Sequence, residues 1–121
     1  MDHNKNMSFT SRRKSFSYAF NGLFQLFRQE PNFRLQAIAA VIAVIAGWLK
    51  HIGHTRWLAL VFAIGLVLIT ETLNTCIEKL CDFACEDKIH PAIKIIKDIS
   101  AAAVVMAAAV SIVAGLIIFF F

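Results

Sequence analysis

The chain has 121 residues, a length that suits one domain. Its residues are 59% hydrophobic and only 17% charged, with a mean hydropathy of +0.68, which excludes an ordinary soluble domain and favours an integral membrane protein. The net charge of +4 is better explained by basic residues that flank membrane spans on the cytoplasmic side than by nucleic-acid binding, so we expect no nucleic-acid partner.

The N-terminal part of the chain predicts an amphipathic helix over residues 10–29. Its large apolar side chains recur at helical spacing and form one stripe. The stripe consists of Phe16, Phe20, Leu23, Phe24 and Phe27. A basic, aromatic-rich helix of this kind is typical of segments that lie in the membrane surface, with packing on a soluble partner as the alternative. Thr10 or Ser11 is expected to cap its start, and the polar first ten residues predict no cleavable signal sequence.

Three apolar segments follow and predict an all-α integral membrane protein. The predicted spans are residues 31–50, 56–82 and 97–121, within a single domain over 1–121. A helix needs about 20 residues to cross the hydrocarbon core, and the first two spans reach that length only with their polar ends included. Pro31 suits the first turn of a helix, which leaves Glu30 at the corner between the surface helix and span 1.

The distribution of basic residues predicts the orientation of the chain. Ten of the twelve Lys and Arg residues precede or open span 1, or lie at the end of span 2 and in the connection to span 3. Only Lys50 and Arg56 lie at the short connection between spans 1 and 2, one at each end of it. Since cytoplasmic flanks are enriched in basic residues, we expect a multi-pass protein of the bacterial inner (plasma) membrane with a cytoplasmic N-terminus.

The end of span 2 carries the most informative polar residues. Glu71, Asn74, Glu78 and Asp82 fall within an arc of about 80° on one helix. Ionisable side chains at membrane depth usually face a bundle interior or a wet cavity, although a solvated helix end would account for Asp82. Such carboxylates can bind a divalent cation, act as a general base towards an alcohol, or carry protons or cations across the membrane. The spacing alone does not choose among these three functions.

The connection before span 3 offers further candidates. Lys97 and Asp98 can contact phosphates or a metal, or can serve as a basic anchor and a helix-start acid. His90, which precedes Pro91, is interpreted as a structural residue in a turn. The cysteines, Cys76, Cys81 and Cys85, match neither C-x-x-C nor a zinc pattern and are interpreted as packed, reduced thiols. The sequence has no P-loop, no G-x-G-x-x-G and no Ser-His-Asp set.

The residues of this polar face resemble a known family. The stretch ETLNTCIEKLCD, residues 71–82, resembles the signature E-x-x-N-[ST]-x-I-E-x-x-x-D of the prokaryotic diacylglycerol kinase family. Three other stretches fit the same family: RKSFSYAFNGL in the surface helix, QEPNFRLQ at the corner, and HPAIKIIKDISAAAV at the start of span 3. The resemblance extends from about Arg12 to Gly115, in the same order and spacing.

The resemblance implies a homotrimeric membrane kinase with three spans per chain and active sites shared between neighbouring subunits at the cytoplasmic interface. It implies ATP as co-substrate, Mg²⁺ as cofactor, and a membrane lipid alcohol as substrate. We expect phosphorylation of diacylglycerol to phosphatidic acid, with undecaprenol as the alternative lipid, because Gln36 stands where diacylglycerol-using members can carry a carboxylate. A small cation- or proton-coupled transporter and a non-catalytic membrane oligomer are the alternatives from other classes.

The resemblance also implies a role for individual residues. Glu71 would be the catalytic base for the lipid hydroxyl, and Asn74 would orient that carboxylate and the substrate. Glu30 and Glu78 would bind the Mg²⁺ that bridges the ATP phosphates. The residues implied to bind ATP are Arg12, Tyr18, Glu30, Glu78, Lys97 and Asp98, and those implied to bind the lipid are Gln36, Trp48 and Glu71.

Overall fold

The computed structural model describes residues 9–86 and 88–121, so the polar N-terminal stretch that predicts no signal sequence lies outside the described residues up to position 8. The described chain forms four helices: α1 (Phe9–Gln29), α2 (Pro31–Leu49), α3 (His54–Cys85) and α4 (Pro91–Phe120). No strand occurs in these two ranges, and α2, α3 and α4 are each long and apolar enough to cross a membrane. The predicted fold class, all-α with three membrane helices and an amphipathic N-terminal helix, is confirmed.

The chain divides into two compact units, Met1–Arg34 and Leu35–Phe121. In the first unit, α1 buries none of its residues, and its phenylalanine stripe is exposed. The helix already includes Thr10 and Ser11, so neither caps its start, contrary to the expectation. The end of α1 is capped by Arg34, whose guanidinium donates to the carbonyl of Arg28 at 2.8 Å. A cation suits this end because the last carbonyls of a helix lack backbone partners.

In the second unit, the closest packing is between α3 and α4. Small residues on α4 allow this close approach, and the Ser111 hydroxyl donates to the Ala63 carbonyl of α3 at 3.0 Å. The buried apolar residues of the pair include Leu60, Val67 and Ala107. Most of the other apolar side chains on these helices are exposed, which is the distribution expected of helices that face lipid or further copies of the chain.

The connection between α2 and α3 is short, and basic side chains at this connection donate hydrogen bonds to the C-terminal end of α4. His51 takes a left-handed conformation with φ of 53°, two residues after the last residue of α2. Nζ of Lys50 donates to the Phe119 carbonyl at 3.1 Å, and Arg56 donates to the Ile117 carbonyl at 2.9 Å and to that of Ile118. Lys50, in the connection, and Arg56, in the first turn of α3, therefore cap the C-terminus of α4.

The connection between α3 and α4 is also defined by its caps. Glu86 follows α3 in a left-handed conformation, and its N–H donates to the Asp82 carbonyl. His90 caps α4: its Nδ1 accepts a hydrogen bond from the N–H of Ala92 at 3.2 Å, and Pro91 occupies the first turn. The structural interpretation of His90 is thereby confirmed. Because α4 begins at Pro91, its first turns carry Lys94, Lys97 and Asp98.

Candidate functional site

The polar face of α3 lies near the end of a helix of 32 residues. At 1.5 Å per residue such a helix is about 48 Å long, well beyond the hydrocarbon core of about 30 Å. Its last turns can therefore extend to the interface while the helix stays continuous. Glu71 is only 6% exposed, and Asn74, Glu78 and Asp82 are half-buried, so the face does not point outwards from the unit.

Asn74 is at the centre of a hydrogen-bond chain that links the two helices. Its Nδ2 donates to Oε1 of Glu78, one turn further along α3, at 3.2 Å. Its Oδ1 accepts from the hydroxyl of Ser100 on α4 at 2.7 Å. Both ends of the Asn74 amide are thus engaged, and the Glu78 carboxylate has a fixed neighbour on its own helix.

Two ion pairs surround the start of α4. Lys97 pairs with Asp82 across the α3–α4 connection, and Lys94 pairs with Asp98 one turn along α4 at 2.7 Å. The structure therefore gives Asp82 a specific partner, which a solvated helix end does not predict. It also shows that the neighbouring residues Lys97 and Asp98 point to different partners.

The remaining candidates for nucleotide and metal binding belong to the first unit. Arg12 and Tyr18 are exposed on α1, and Glu30 is half-buried between α1 and α2. Its N–H donates to the Leu26 carbonyl at 2.9 Å and its carbonyl accepts from the Arg34 N–H at 3.1 Å, so the backbone at Glu30 continues the hydrogen bonding of both helices. The predicted corner at this residue coincides with the break between them.

The residues described contain no group of three or more His, Cys, Asp or Glu side chains that could hold a metal ion. Mg²⁺ does not require one, since it is usually bound by one or two carboxylates together with substrate phosphates and water. Glu78 has the chemistry of such a ligand, because its Oε1 accepts a single hydrogen bond from an amide that carries no charge. The three cysteines are free thiols, as expected, but only Cys81 is buried; Cys85 is half-buried and Cys76 is exposed, so the packing interpretation is wrong for Cys76.

The two candidate lipid-binding residues of α2 face different surroundings. Gln36 is half-buried and lines an open cavity of about 290 Å³ formed by α2, α3 and α4, whose walls are mostly Ala, Leu and Ile side chains. Trp48 is 71% exposed. Twelve residues of helix separate them by about 18 Å. Only an extended molecule, such as a lipid with its tail, could contact both residues of one chain.

Comparison with known proteins decides the family. A sequence profile for prokaryotic diacylglycerol kinase matches residues 17–119. An undecaprenol kinase of Bacillus subtilis is 39% identical over 88% of this chain and 85% of its own. A diacylglycerol kinase of Escherichia coli K12 is 34% identical over 91% of this chain and 89% of its own. A diacylglycerol kinase of Synechocystis is also 34% identical, over 84% of this chain and 58% of its own.

The chain belongs to the prokaryotic diacylglycerol kinase family. This membership confirms the predicted class of enzyme, a lipid kinase, and the predicted membrane helices agree with it. It favours the kinase over the transporter and over a non-catalytic oligomer. The names of the relatives include both lipids that the sequence left open, so the family match does not choose between them.

One residue of the site was missed by the sequence analysis. Ser100 lies in the run SAAAVVMAAAVSIVAG, where it reads as one more small packing residue. In the structure it is 7% exposed and is the α4 partner of Asn74. The only available signal was a hydroxyl three residues after Lys97, too common a feature in apolar helices to single out.

Proposed function

We propose that this chain transfers the γ-phosphoryl group of ATP to the hydroxyl of a membrane lipid at the cytoplasmic surface of the inner membrane. The observation that carries the proposal is the burial of Glu71 in an apolar helix, on the same face as Asn74 and Glu78. Ionisable side chains at membrane depth are costly, and they commonly mark functional sites. Phosphoryl transfer asks a protein mainly for positioning and charge neutralisation, which this polar face can supply without a P-loop.

Glu71 is proposed as the general base. As the lipid oxygen forms its bond to the γ-phosphorus, the Glu71 carboxylate takes the hydroxyl proton. The bond between the γ-phosphorus and the bridging oxygen breaks, and ADP leaves. Asn74 lies three residues further along α3, close to the same face, and is proposed to orient the substrate and this carboxylate.

Glu30 and Glu78 are proposed to bind Mg²⁺. When bound there, the ion would neutralise negative charge that develops on the ATP phosphates during transfer. The donor set suits this metal, because carboxylate oxygens are its preferred protein ligands and phosphates can complete the coordination. The Asn74 amide holds the Glu78 carboxylate in one direction before any ligand arrives, which supports this assignment.

The nucleotide is proposed to contact Arg12, Tyr18, Lys97 and Asp98. Lys97 supports this best, because its ammonium has three donors and only one of them is needed for Asp82. It can therefore bind a phosphate without leaving its carboxylate partner. Asp98 already forms an ion pair with Lys94. To contact the nucleotide, its carboxylate would have to keep Lys94 as a second partner or give up this pair.

The lipid is proposed to be a membrane alcohol whose tail stays in the bilayer, with Gln36, Trp48 and Glu71 along its path. Diacylglycerol is the first candidate. Undecaprenol is the second, favoured by the higher identity with the Bacillus subtilis undecaprenol kinase than with the Escherichia coli diacylglycerol kinase. The amide of Gln36, in the otherwise mostly apolar lining of its cavity, supports a place near the polar end of the lipid.

A homotrimer with a cytoplasmic N-terminus completes the proposal. The exposed apolar surfaces of the membrane helices are compatible with partner chains as well as with lipid. The charge distribution supports the orientation, because ten of the twelve basic residues lie on one predicted side. Shared sites would make activity depend on assembly.

The test measures phosphate transfer from labelled ATP by the purified chain in detergent micelles with Mg²⁺, offering diacylglycerol and undecaprenol separately. We expect transfer to at least one lipid and its loss in Glu71→Gln. Glu86→Gln makes the same chemical change at an exposed residue just after α3 and should keep wild-type activity. Normal turnover in Glu71→Gln would remove this residue as the base. Failure to phosphorylate any lipid alcohol, with proton-driven flux in liposomes, would favour the transporter.

A further inference from the structure

The hydroxyl of Ser100 donates to a side chain on another helix, which is unusual for a serine within a helix. Inside a helix, Ser and Thr hydroxyls commonly donate to the carbonyl one turn back on their own helix. Ser15, Thr70 and Thr72 do so here, at 3.3, 2.8 and 2.8 Å. Ser100 is buried and instead donates across to Oδ1 of Asn74, at 2.7 Å. The contact therefore depends on how α3 and α4 are packed, and not on local helix geometry.

This contact determines what Asn74 presents to Glu78. An amide has one accepting end and one donating end, and a half-turn of the side chain exchanges them. With Ser100 bound to Oδ1, Nδ2 is directed to the Glu78 carboxylate, which it reaches at 3.2 Å. The reversed amide would bring its oxygen against a carboxylate oxygen, a repulsive arrangement. The Ser100 hydroxyl and the Glu78 carboxylate thus both favour the same orientation of the Asn74 amide, with Nδ2 directed towards Glu78.

We propose that Ser100 is a positioning residue that acts through Asn74 to hold the Glu78 carboxylate in the direction needed to bind a divalent cation. The inference rests on the proposed function, since it deepens the role of Glu78 as a metal ligand. Hydrogen-bond partners behind a metal ligand typically change metal affinity or activity by about 10- to 100-fold when removed. Ser100 is one hydrogen bond further from the proposed metal ligand than Asn74 is. We therefore expect the effect of removing its hydroxyl to be at the lower end of that range or below it.

Loss of the Ser100 hydroxyl should change the Mg²⁺ requirement but not the turnover number at saturating Mg²⁺. Loss of the hydroxyl leaves the Glu78 carboxylate in place but less well oriented, so more Mg²⁺ is needed to reach the same occupancy. At saturating Mg²⁺ the reacting groups are unchanged, and the turnover number stays close to that of wild type. A merely structural role for Ser100 would lower stability or the amount of active protein and would leave the Mg²⁺ requirement unchanged.

The chain offers a matched control for this test. Ser111 is also on α4, and its hydroxyl also donates to α3, at 3.0 Å, but to a backbone carbonyl in the apolar part of the pair. Ser111→Ala therefore removes one α3–α4 hydrogen bond without touching Asn74. Ser100→Thr keeps a hydroxyl at the site and serves as the conservative variant.

The experiment measures lipid phosphorylation by the purified chain against Mg²⁺ concentration, at saturating ATP and lipid, together with the thermal unfolding midpoint. For Ser100→Ala we expect the Mg²⁺ concentration at half-maximal rate to rise about threefold to tenfold. We expect less than a twofold change for Ser111→Ala and for Ser100→Thr. If Ser100→Thr packs poorly and unfolds early, Ser100→Cys replaces it as the variant that retains a donor, although a weaker one.

The outcomes separate the inference from the proposed function. An unchanged Mg²⁺ requirement in an active, folded Ser100→Ala protein would overturn the positioning role while leaving the kinase intact. An equal rise in Ser111→Ala would also overturn it, because the effect would then come from general loosening of the helix pair. Absence of lipid phosphorylation in the wild-type chain would instead contradict the proposed function itself.

Discussion

Lys97 of α4 forms an ion pair with Asp82 of α3, and this pair joins the last turns of one helix to the first turns of the next. Both side chains remain partly exposed, at 37% and 49%, so solvent screens the attraction and the pair adds little to stability. The main effect of the pair is to orient the Lys97 ammonium. A lysine has a flexible four-carbon stem, and a fixed carboxylate limits where the ammonium can be.

Asp82→Asn is therefore expected to weaken ATP binding more than it weakens the fold. We expect the KM for ATP to rise about threefold, because Lys97 must then be ordered by the nucleotide alone. The thermal unfolding midpoint should change little. Steady-state kinetics with varied ATP, at saturating lipid and Mg²⁺, measure the first quantity. Glu86→Gln is the control for loss of one acidic charge near the end of α3, and a lower KM in Asp82→Asn would show that Asp82 competes with the nucleotide for Lys97.

Gly47 should tolerate a side chain less well than Gly65. A Cβ at Gly47 would lie 3.0 Å from Cδ1 of Ile52 and 3.1 Å from Cη2 of Trp57, whereas a Cβ at Gly65 would meet nothing within 4 Å. Both substitutions by Ala gain helix propensity, worth up to about 1 kcal/mol. Gly47→Ala loses that gain because the rigid Trp57 ring must move. We expect Gly65→Ala to be the more stable variant by about 1 kcal/mol in the free energy of unfolding in micelles, and equal stabilities would contradict this packing.

Arg56 should contribute to stability through the end of α4. Its guanidinium donates to the carbonyls of Ile117 and Ile118, so Arg56→Met keeps much of the apolar stem and removes the cap. We expect the free energy of unfolding to fall by about 1–2 kcal/mol, the upper part of the range for a cation at a helix C-terminus, because the guanidinium donates to two carbonyls. Thermal or denaturant unfolding followed by circular dichroism measures the change. Lys88→Met removes an exposed positive charge elsewhere, and a loss as large as that of Arg56→Met would point to net charge as the cause.

Much of the fold follows from one-dimensional patterns. Apolar runs of sufficient length predict the three membrane helices, and a phenylalanine stripe at helical spacing predicts α1, because both properties belong to a single helix. The polar face of α3 is likewise a property of one helix, so Glu71, Asn74 and Glu78 could be placed together from the sequence. The structure bears out their common face, and their roles stay predictions.

Contacts between helices could not be predicted in this way. The pairing of Ser100 with Asn74, and of Lys97 with Asp82, requires the register of α4 against α3, which no pattern within either helix specifies. The same holds for Lys50 and Arg56. Their position at the connection between two spans identified them as the exceptions to the charge distribution. It did not identify them as caps for a helix whose end lies about sixty to seventy residues later.

The cross-helix hydroxyls also restrict how α3 and α4 can move. On α3 the accepting residues are Ala63 and Asn74, and on α4 the donors are Ser111 and Ser100, so the two contacts are eleven residues apart on both helices. Eleven residues make just over three whole turns, which puts both contacts on one side of each helix. The smallest slip that would keep the same sides together is one turn, about 5.4 Å, and it would break both contacts at once. Both contacts therefore oppose a slide of α4 along α3, whereas tilting of the pair as a unit would break neither of them.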